Sequence, residues 1–335
     1  MTIFRANTWW NAIVPQVLGW IYFCALLDPT NVTVDRQRVL LFFLSLISIS
    51  AFGYLLNDFF DLRSDEISGK KNSLYGLNPG LRIVLVLLPL IIGFVSWTLL
   101  PSRLGANILF TLQLTALVFY SSPPFRLKEK GKWGIVADAF YGHINPAFIA
   151  ISTFLLGYSK SGTQGFILLG LLFLCTGLKG IRNILLHQLE DRKKDRMAGI
   201  GTFVVKRGAL FSLNLVNRLL PLETFFTIAL ALLISVWFPP FFLSILIFAV
   251  LTYLKFSGWK LGYLPKRQLK FKFLYFLNDY YEGWMPVFFL LLLGVRQHEF
   301  LFLLALHLIL FPSFLIKLWN DLKTIGQNFK TEDDY

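Results

Sequence analysis

The stretch Asn57-Asp-Phe-Phe-Asp-Leu-Arg-Ser-Asp65 places Asn57, Asp58, Asp61 and Asp65 at the end of an almost wholly apolar run, Val39 to Leu56. A second acidic stretch, His187-Gln-Leu-Glu-Asp-Arg-Lys-Lys-Asp195, followed by Gly199-Ile-Gly-Thr202, repeats the pairing with Asp191 and Asp195. Residues four apart share one face of a helix, so Asn57 with Asp61, Asp61 with Asp65, and Asp191 with Asp195 can each converge on one cation. Acids beside an apolar helix also serve as plain solvated ends, and the first motif taken alone fits both roles. Two facing carboxylate pairs suit Mg²⁺, which prefers hard oxygen ligands and completes its shell with water and phosphate oxygens, so that two ions and a diphosphate fit between them. No His or Cys cluster competes: Cys24 and Cys175 lie inside apolar runs, with no disulfide or zinc spacing.

Between the acidic stretches lies Tyr120-Ser-Ser-Pro-Pro-Phe-Arg-Leu-Lys-Glu-Lys-Gly-Lys132. Its two prolines stop a helix, and Arg126 and Lys128, next to them, can grip phosphate oxygens that metal ions leave free. Lys130 and Lys132 read as anchors of a positive loop.

The elements that must carry these groups are membrane helices. A chain of 335 residues that is 56% hydrophobic, 17% aromatic and only 15% charged is not a water-soluble domain. Ten apolar runs approach bilayer-spanning length, from Trp9–Leu27 to Phe300–Leu318, of which Phe241–Leu254 is short and Phe273–Val295 carries Asn278, Asp279 and Glu282 near its start. The expectation is one all-α domain over 1–335, a polytopic bundle of nine or ten transmembrane helices. The first run, with Trp9, Trp10, Asn11 and Pro15 and no small-residue cleavage pattern, reads as an uncleaved helix. The net charge of +13 comes from basic residues that gather in alternate loops, so it signals the positive-inside rule and not nucleic acid. With both termini in the cytoplasm, the acidic motifs and the proline-basic loop all face that side, in the inner membrane if the source is bacterial.

The sixth run holds Lys179, Arg182, Asn183 and His187 at i, i+3, i+4 and i+8, a polar face that leads into Asp191. Charge at that depth faces a cavity or a partner. Lys179 or Arg182 is therefore expected beneath the diphosphate or against the acceptor, with a structural pairing to Asp138 or Glu223 as the other reading. Asp279 and Glu282 are expected to be neutralised by the basic loop Lys255–Lys272 and to stay outside the chemistry.

Together the three stretches resemble the UbiA superfamily of intramembrane prenyltransferases. Asn57 to Asp65 fits its NDxxDxxxD motif, Asp191 to Asp195 with the following Gly-Ile-Gly-Thr fits its second DxxxD motif, and Tyr120 to Lys128 resembles the tyrosine, proline and basic loop between them. The resemblance covers about 9–254. It implies a helical bundle around a central cavity open to lipid, holding an isoprenyl diphosphate with its head at the motifs and its tail among apolar side chains. Asn57, Asp58, Asp61, Asp65, Asp191 and Asp195 would hold the diphosphate through Mg²⁺, with Arg63, Tyr120, Arg126 and Lys128 touching it directly. Where many members carry a basic-Asn-Arg-Pro stretch this chain has Gly69-Lys-Lys-Asn72, which gives Lys70 or Lys71 that contact. His187 and Gln188 replace the Asn-Asp of quinone-pathway relatives, and the extra apolar run near the end points to an outlying subgroup. The implied reaction transfers a prenyl group to a lipid-soluble or aromatic acceptor after ionisation of the allylic diphosphate. A terpene cyclase without acceptor and a transporter of a cation or anionic lipid are the alternatives; two DxxxD pairs flanking a basic loop favour the enzyme.

Overall fold

The computed structural model describes Phe4 and residues 6–28, 36–155, 162–257 and 273–330, and these are helical, with no strand among them. After a single turn at Ala6–Trp9 come α1 (Ile13–Leu27), α2 (Arg36–Ser68), α3 (Pro79–Thr98) and α4 (Leu104–Ser121). Helix α5 covers 132–154 as Lys132–Ala139, a π turn Phe140–Ile144 and Asn145–Phe154. Next are α6 (Thr163–Met197), the short Phe203–Arg207, α7 (Ala209–Trp237) and α8 (Phe242–Ser257). Helix α9 covers 276–296 as Phe276–Asp279, a second π turn Tyr280–Trp284 and Met285–Arg296, before α10 (Glu299–Leu310) and α11 (Ser313–Lys330).

Six of the described helices are long and apolar enough to cross a membrane, and α10 with α11 makes a seventh if a pair bent by 75° counts as one crossing. Their outer faces are hydrocarbon-like, with Leu104 76% and Phe166 75% exposed, a belt that only lipid can cover in a multi-pass membrane protein. The other expected crossings are shorter or interrupted. Helix α1 has 15 residues. In α5 and α9 a proline, Pro146 or Pro286, follows the π turn, and the missing proline N–H is accommodated there by the wider turn. The expected run Phe300–Leu318 is not one straight helix: Pro312 cannot continue it, and the chain bends into α11, whose Leu315, Ile316, Trp319 and Leu322 are exposed.

Helix α1 is buried on every side from Val14 to Leu26 and forms the axis of the core, as a helix apolar all round must. It packs between the second halves of α5 and α9, with Phe23, Phe289 and Phe241 in one aromatic cluster. Helices α2 and α6, with 33 and 35 residues, are each about 50 Å long at 1.5 Å per residue, against roughly 30 Å of hydrocarbon. Their last turns therefore have room to project beyond the lipid, and those turns carry the acidic motifs.

Candidate active site

Both motif helices end in the same way. Gly69 and Gly199 have positive φ, 64° and 70°, and the amides of Lys70 and Ile200 donate back to the carbonyls of Asp65 and Asp195 at 2.9 and 2.8 Å. Each is a helix-ending Schellman turn with the last acid of the motif three residues from the cap, so Asp61 and Asp65, like Asp191 and Asp195, sit where the helix dipole is negative. Acids clustered at such an end repel one another and the backbone carbonyls, and the arrangement is stable only with cations among them.

Three cations fill that role in the structure. Lys128 Nζ lies 2.5 Å from both Asp61 oxygens and 2.9 Å from Asn57 Oδ1. Arg126 Nη2 donates to Asp61 at 2.9 Å and Nη1 to the Phe60 carbonyl at 3.1 Å. Lys70 crosses between the motifs, 2.9 Å from Asp191 and 2.8 Å from Asp195. Burial alone would lower the Lys70 pKa, but its bonds to Asp195 and Asp191 outweigh that and leave it raised. At Lys128 burial prevails over the attraction of Asp61, and the pKa is lowered. Arg126 has a left-handed backbone, φ 40°, where the proline turn reverses toward α2. Gly134 lets the Lys128 turn pack on the start of α5, since a Cβ there would meet the Leu127 carbonyl at 2.8 Å.

Not every expected contact is made. Asp58 is fully buried and accepts from the Ser73 amide at 3.2 Å and from the Ser73 hydroxyl, so it fastens the loop after α2 instead of facing the other acids. Being one residue from Asn57, it points about 100° away around the helix. Asn72 ties Asp65 (2.8 Å) to the Asp58 carbonyl (2.7 Å). Arg63, two residues from Asp61 and thus on the opposite side of α2, is exposed, and so is Lys71, whose neighbour Lys70 makes the contact. Lys179 and Arg182 do not line the cavity. Lys179 is bonded to Gln16 (2.6 Å) and Glu282 (3.1 Å), and Arg182 to Glu223 through two bonds of 2.6 and 2.9 Å. The structural reading with Glu223 is the one realised for Arg182. Asp279 is paired with Lys317 at 2.7 Å and Glu282 with Lys179, while Lys255 pairs with Asp321; the rest of the basic loop expected to neutralise them, 258–272, lies outside the described residues.

Behind the motifs opens a cavity of about 470 Å³. One face of α2 lines its length, with Asn57, Gly53, Ile49, Leu46 and Phe42 at helical spacing, and the far end is closed by Trp97 stacked on Phe110 at 4.3 Å. The polar wall includes Asp191, Tyr120, Asp138, Tyr141, His143 and Glu282. Tyr120 packs edge-on against Tyr141 at 5.0 Å, and the Tyr141 hydroxyl donates to Asp138 at 2.9 Å. Sequence reasoning gave Asp138, His143 and Glu282 no place in the site. The available signal was carboxylates inside apolar runs, Asp138 and Glu282, each followed within eight residues by a proline, Pro146 or Pro286.

Among the described residues no three His, Cys, Asp or Glu side chains converge on one point, so these residues alone do not form a complete metal cage. Paired oxygen donors at two negative helix ends fit instead an ion such as Mg²⁺ that takes the rest of its shell from water and phosphate. An all-helical membrane bundle with a graded cavity, acids at its mouth and aromatic rings at its far end, defines the class as an intramembrane prenyltransferase. The UbiA prenyltransferase family model matches residues 16–278, and the chain belongs to that family. No curated protein matches the sequence. The fold is similar to that of a UbiA homologue from Archaeoglobus fulgidus, solved with DMAPP and Mg²⁺ and again with GPP and Mg²⁺: TM-score 0.58, 15% identity, over 85% of this chain and 96% of that one. It is also similar to a digeranylgeranylglyceryl phosphate synthase, with TM-score 0.54 and 17% identity over 85% of this chain and 95% of that one.

Proposed function

We propose that the protein is a Mg²⁺-dependent transferase that moves a prenyl group from an isoprenyl diphosphate to a lipid-soluble acceptor by ionising the allylic C–O bond. The observation that carries this is Lys70, which follows the acid-bearing end of α2 and reaches both acids at the end of α6, Asp191 and Asp195, at the mouth of an apolar cavity. The ligands of the archaeal homologue, DMAPP and GPP with Mg²⁺, support it. Asn57, Asp61 and Asp65 on one side and Asp191 and Asp195 on the other would hold Mg²⁺, which when bound would supply positive charge against the leaving diphosphate. Lys70, Arg126 and Lys128 exchange carboxylate oxygens for phosphate oxygens when the donor enters, and stabilise the same developing charge. The prenyl tail follows the α2 face from Asn57 toward Phe42, and Tyr54, Tyr120 and Tyr141 offer π faces to the allylic cation. The excess of basic residues in the loops on the motif side supports a cytoplasmic mouth. A membrane-impermeant thiol reagent reaching cysteine at Arg192 from outside intact cells would reverse that orientation.

The test is diphosphate release from allylic donors by the purified protein. Asp61→Asn and Asp195→Asn should each reduce turnover by about 10²–10³-fold, the loss of one electrostatic transition-state contact, and together by less than the product. Wild-type turnover by both variants would refute the reading.

A further inference from the structure

The cavity wall also constrains the acceptor. Among the described residues that line it, the charged ones are Asp138, Asp191 and Glu282, all acids, and no lysine or arginine reaches it. The cations bonded to lining residues are all engaged: Lys179 with Glu282 and Arg182 with Glu223 behind the wall, and at the mouth Lys70 with Asp191 and Lys128 with Asn57 and Asp61, where the donor diphosphate would claim them. A carboxylate or phosphate on the acceptor would meet no free cation there and would lie beside a diphosphate of the same sign. What the wall does offer are hydrogen-bond acceptors and neutral polar groups. The Asp138 carboxylate is oriented by Tyr141 at 2.9 Å, and His143 Nδ1 is buried without a hydrogen-bond partner among the described residues. His187, one helical turn from Asp191, is exposed into the space between them.

We propose that this polar wall receives an uncharged acceptor carrying a hydroxyl group, held by Asp138 and His143, and that Asp138 removes its proton. The inference rests on the prenyltransferase reading above. As the C–O bond of the donor breaks, its electron pair leaves with the diphosphate. A lone pair of the acceptor oxygen forms the new bond to the allylic carbon, and the hydroxyl proton passes to an Asp138 oxygen. The product is a neutral prenyl ether, and no oxidant or reductant is consumed.

The experiment uses membranes containing the full chain, incubated with Mg²⁺ and labelled dimethylallyl, geranyl, farnesyl and geranylgeranyl diphosphates. Diphosphate release is followed separately, and labelled lipids are divided by anion exchange. The expected result is a neutral product distinct from the free prenyl alcohol, formed about 10²-fold more slowly by Asp138→Asn, the usual contribution of a general base. Asparagine is isosteric and still accepts from Tyr141, so the fold is retained. A product held on the exchanger by a carboxylate or phosphate overturns the acceptor class. Undiminished neutral product from Asp138→Asn overturns the role of Asp138. Release of diphosphate with prenyl alcohol alone overturns the acceptor proposal while leaving the donor chemistry standing, and no release at all removes both.

Discussion

The buried pair of Arg182 and Glu223 yields the sharpest test of how this bundle tolerates charge. Both side chains are fully buried. The guanidinium makes bonds of 2.6 and 2.9 Å to Glu223, 2.8 Å to the Leu274 carbonyl and 2.7 Å to Asn278, linking α6 to α7 and to the start of α9. Arg182→Met leaves a carboxylate buried with no opposing charge, which costs about 3–5 kcal/mol, or roughly 10²–10⁴-fold in the folding equilibrium. Replacing both partners, as Arg182→Met with Glu223→Met, removes the stranded charge and should recover about 2 kcal/mol of that loss. A shortfall of about 1–3 kcal/mol remains from the unpaired Leu274 carbonyl and Asn278. Unfolding by sodium dodecyl sulfate in dodecyl maltoside micelles, read from the fluorescence of the nine tryptophans, measures all four proteins. If the double variant is as unstable as the two single losses added together, the pair is not an isolated charge couple and the reasoning fails. Turnover of the folded double variant should stay near wild type, because Arg182 lies behind the cavity wall; a large loss in kcat would return it to the chemistry.

Arg63→Ala and Lys71→Ala should leave turnover within about twofold of wild type, since exposed side chains without a site contact usually shift energies by under about 0.5 kcal/mol; an initial-rate assay decides. Gly134→Ala should lower turnover and destabilise the fold by about 1–3 kcal/mol, because the new methyl collides with the backbone of the Lys128 turn. Thermal unfolding and rate together check it, and a silent variant would mean that the turn has room to move. Chelation should abolish diphosphate release reversibly with no change in helix content by circular dichroism, because Lys70, Arg126 and Lys128 already neutralise the acids.

The motif geometry was open to reading because helical spacing alone decides it: Asn57, Asp61 and Asp65 face one way for the same reason that Arg63 cannot join them. Proximity of Lys70 to Asp191 and Asp195 was not open, since it depends on how a loop folds across 125 residues of intervening chain. Asp58 shows the limit of a motif, for its side chain is occupied by Ser73, which no spacing rule connects to it. The apolar runs located the helices, but hydropathy does not register a π turn or a 75° bend. It therefore described α5 and the pair α10–α11 as plain crossings, and marked α9 as irregular only through Asn278, Asp279 and Glu282. The partners of Lys179 and Glu282 escaped for a related reason: they lie on helices 103 residues apart in sequence.

The π turn in α5 gives the cavity an unusual route to change over generations. A π turn holds one residue more than an α-helical turn, and each residue turns the chain by about 100°. Loss of a single residue within Phe140–Ile144 would rotate Lys132–Ala139 relative to Asn145–Phe154 by that angle. Asp138 would swing away from the cavity, while the half of the helix packed on α1 kept its register. A one-codon deletion would thus exchange the group that faces the incoming molecule and, because Gly134 turns with Asp138 and packs on the Lys128 turn, would also disturb the loop that holds Asp61, so the choice of partner and the handling of the donor are tied through one helix.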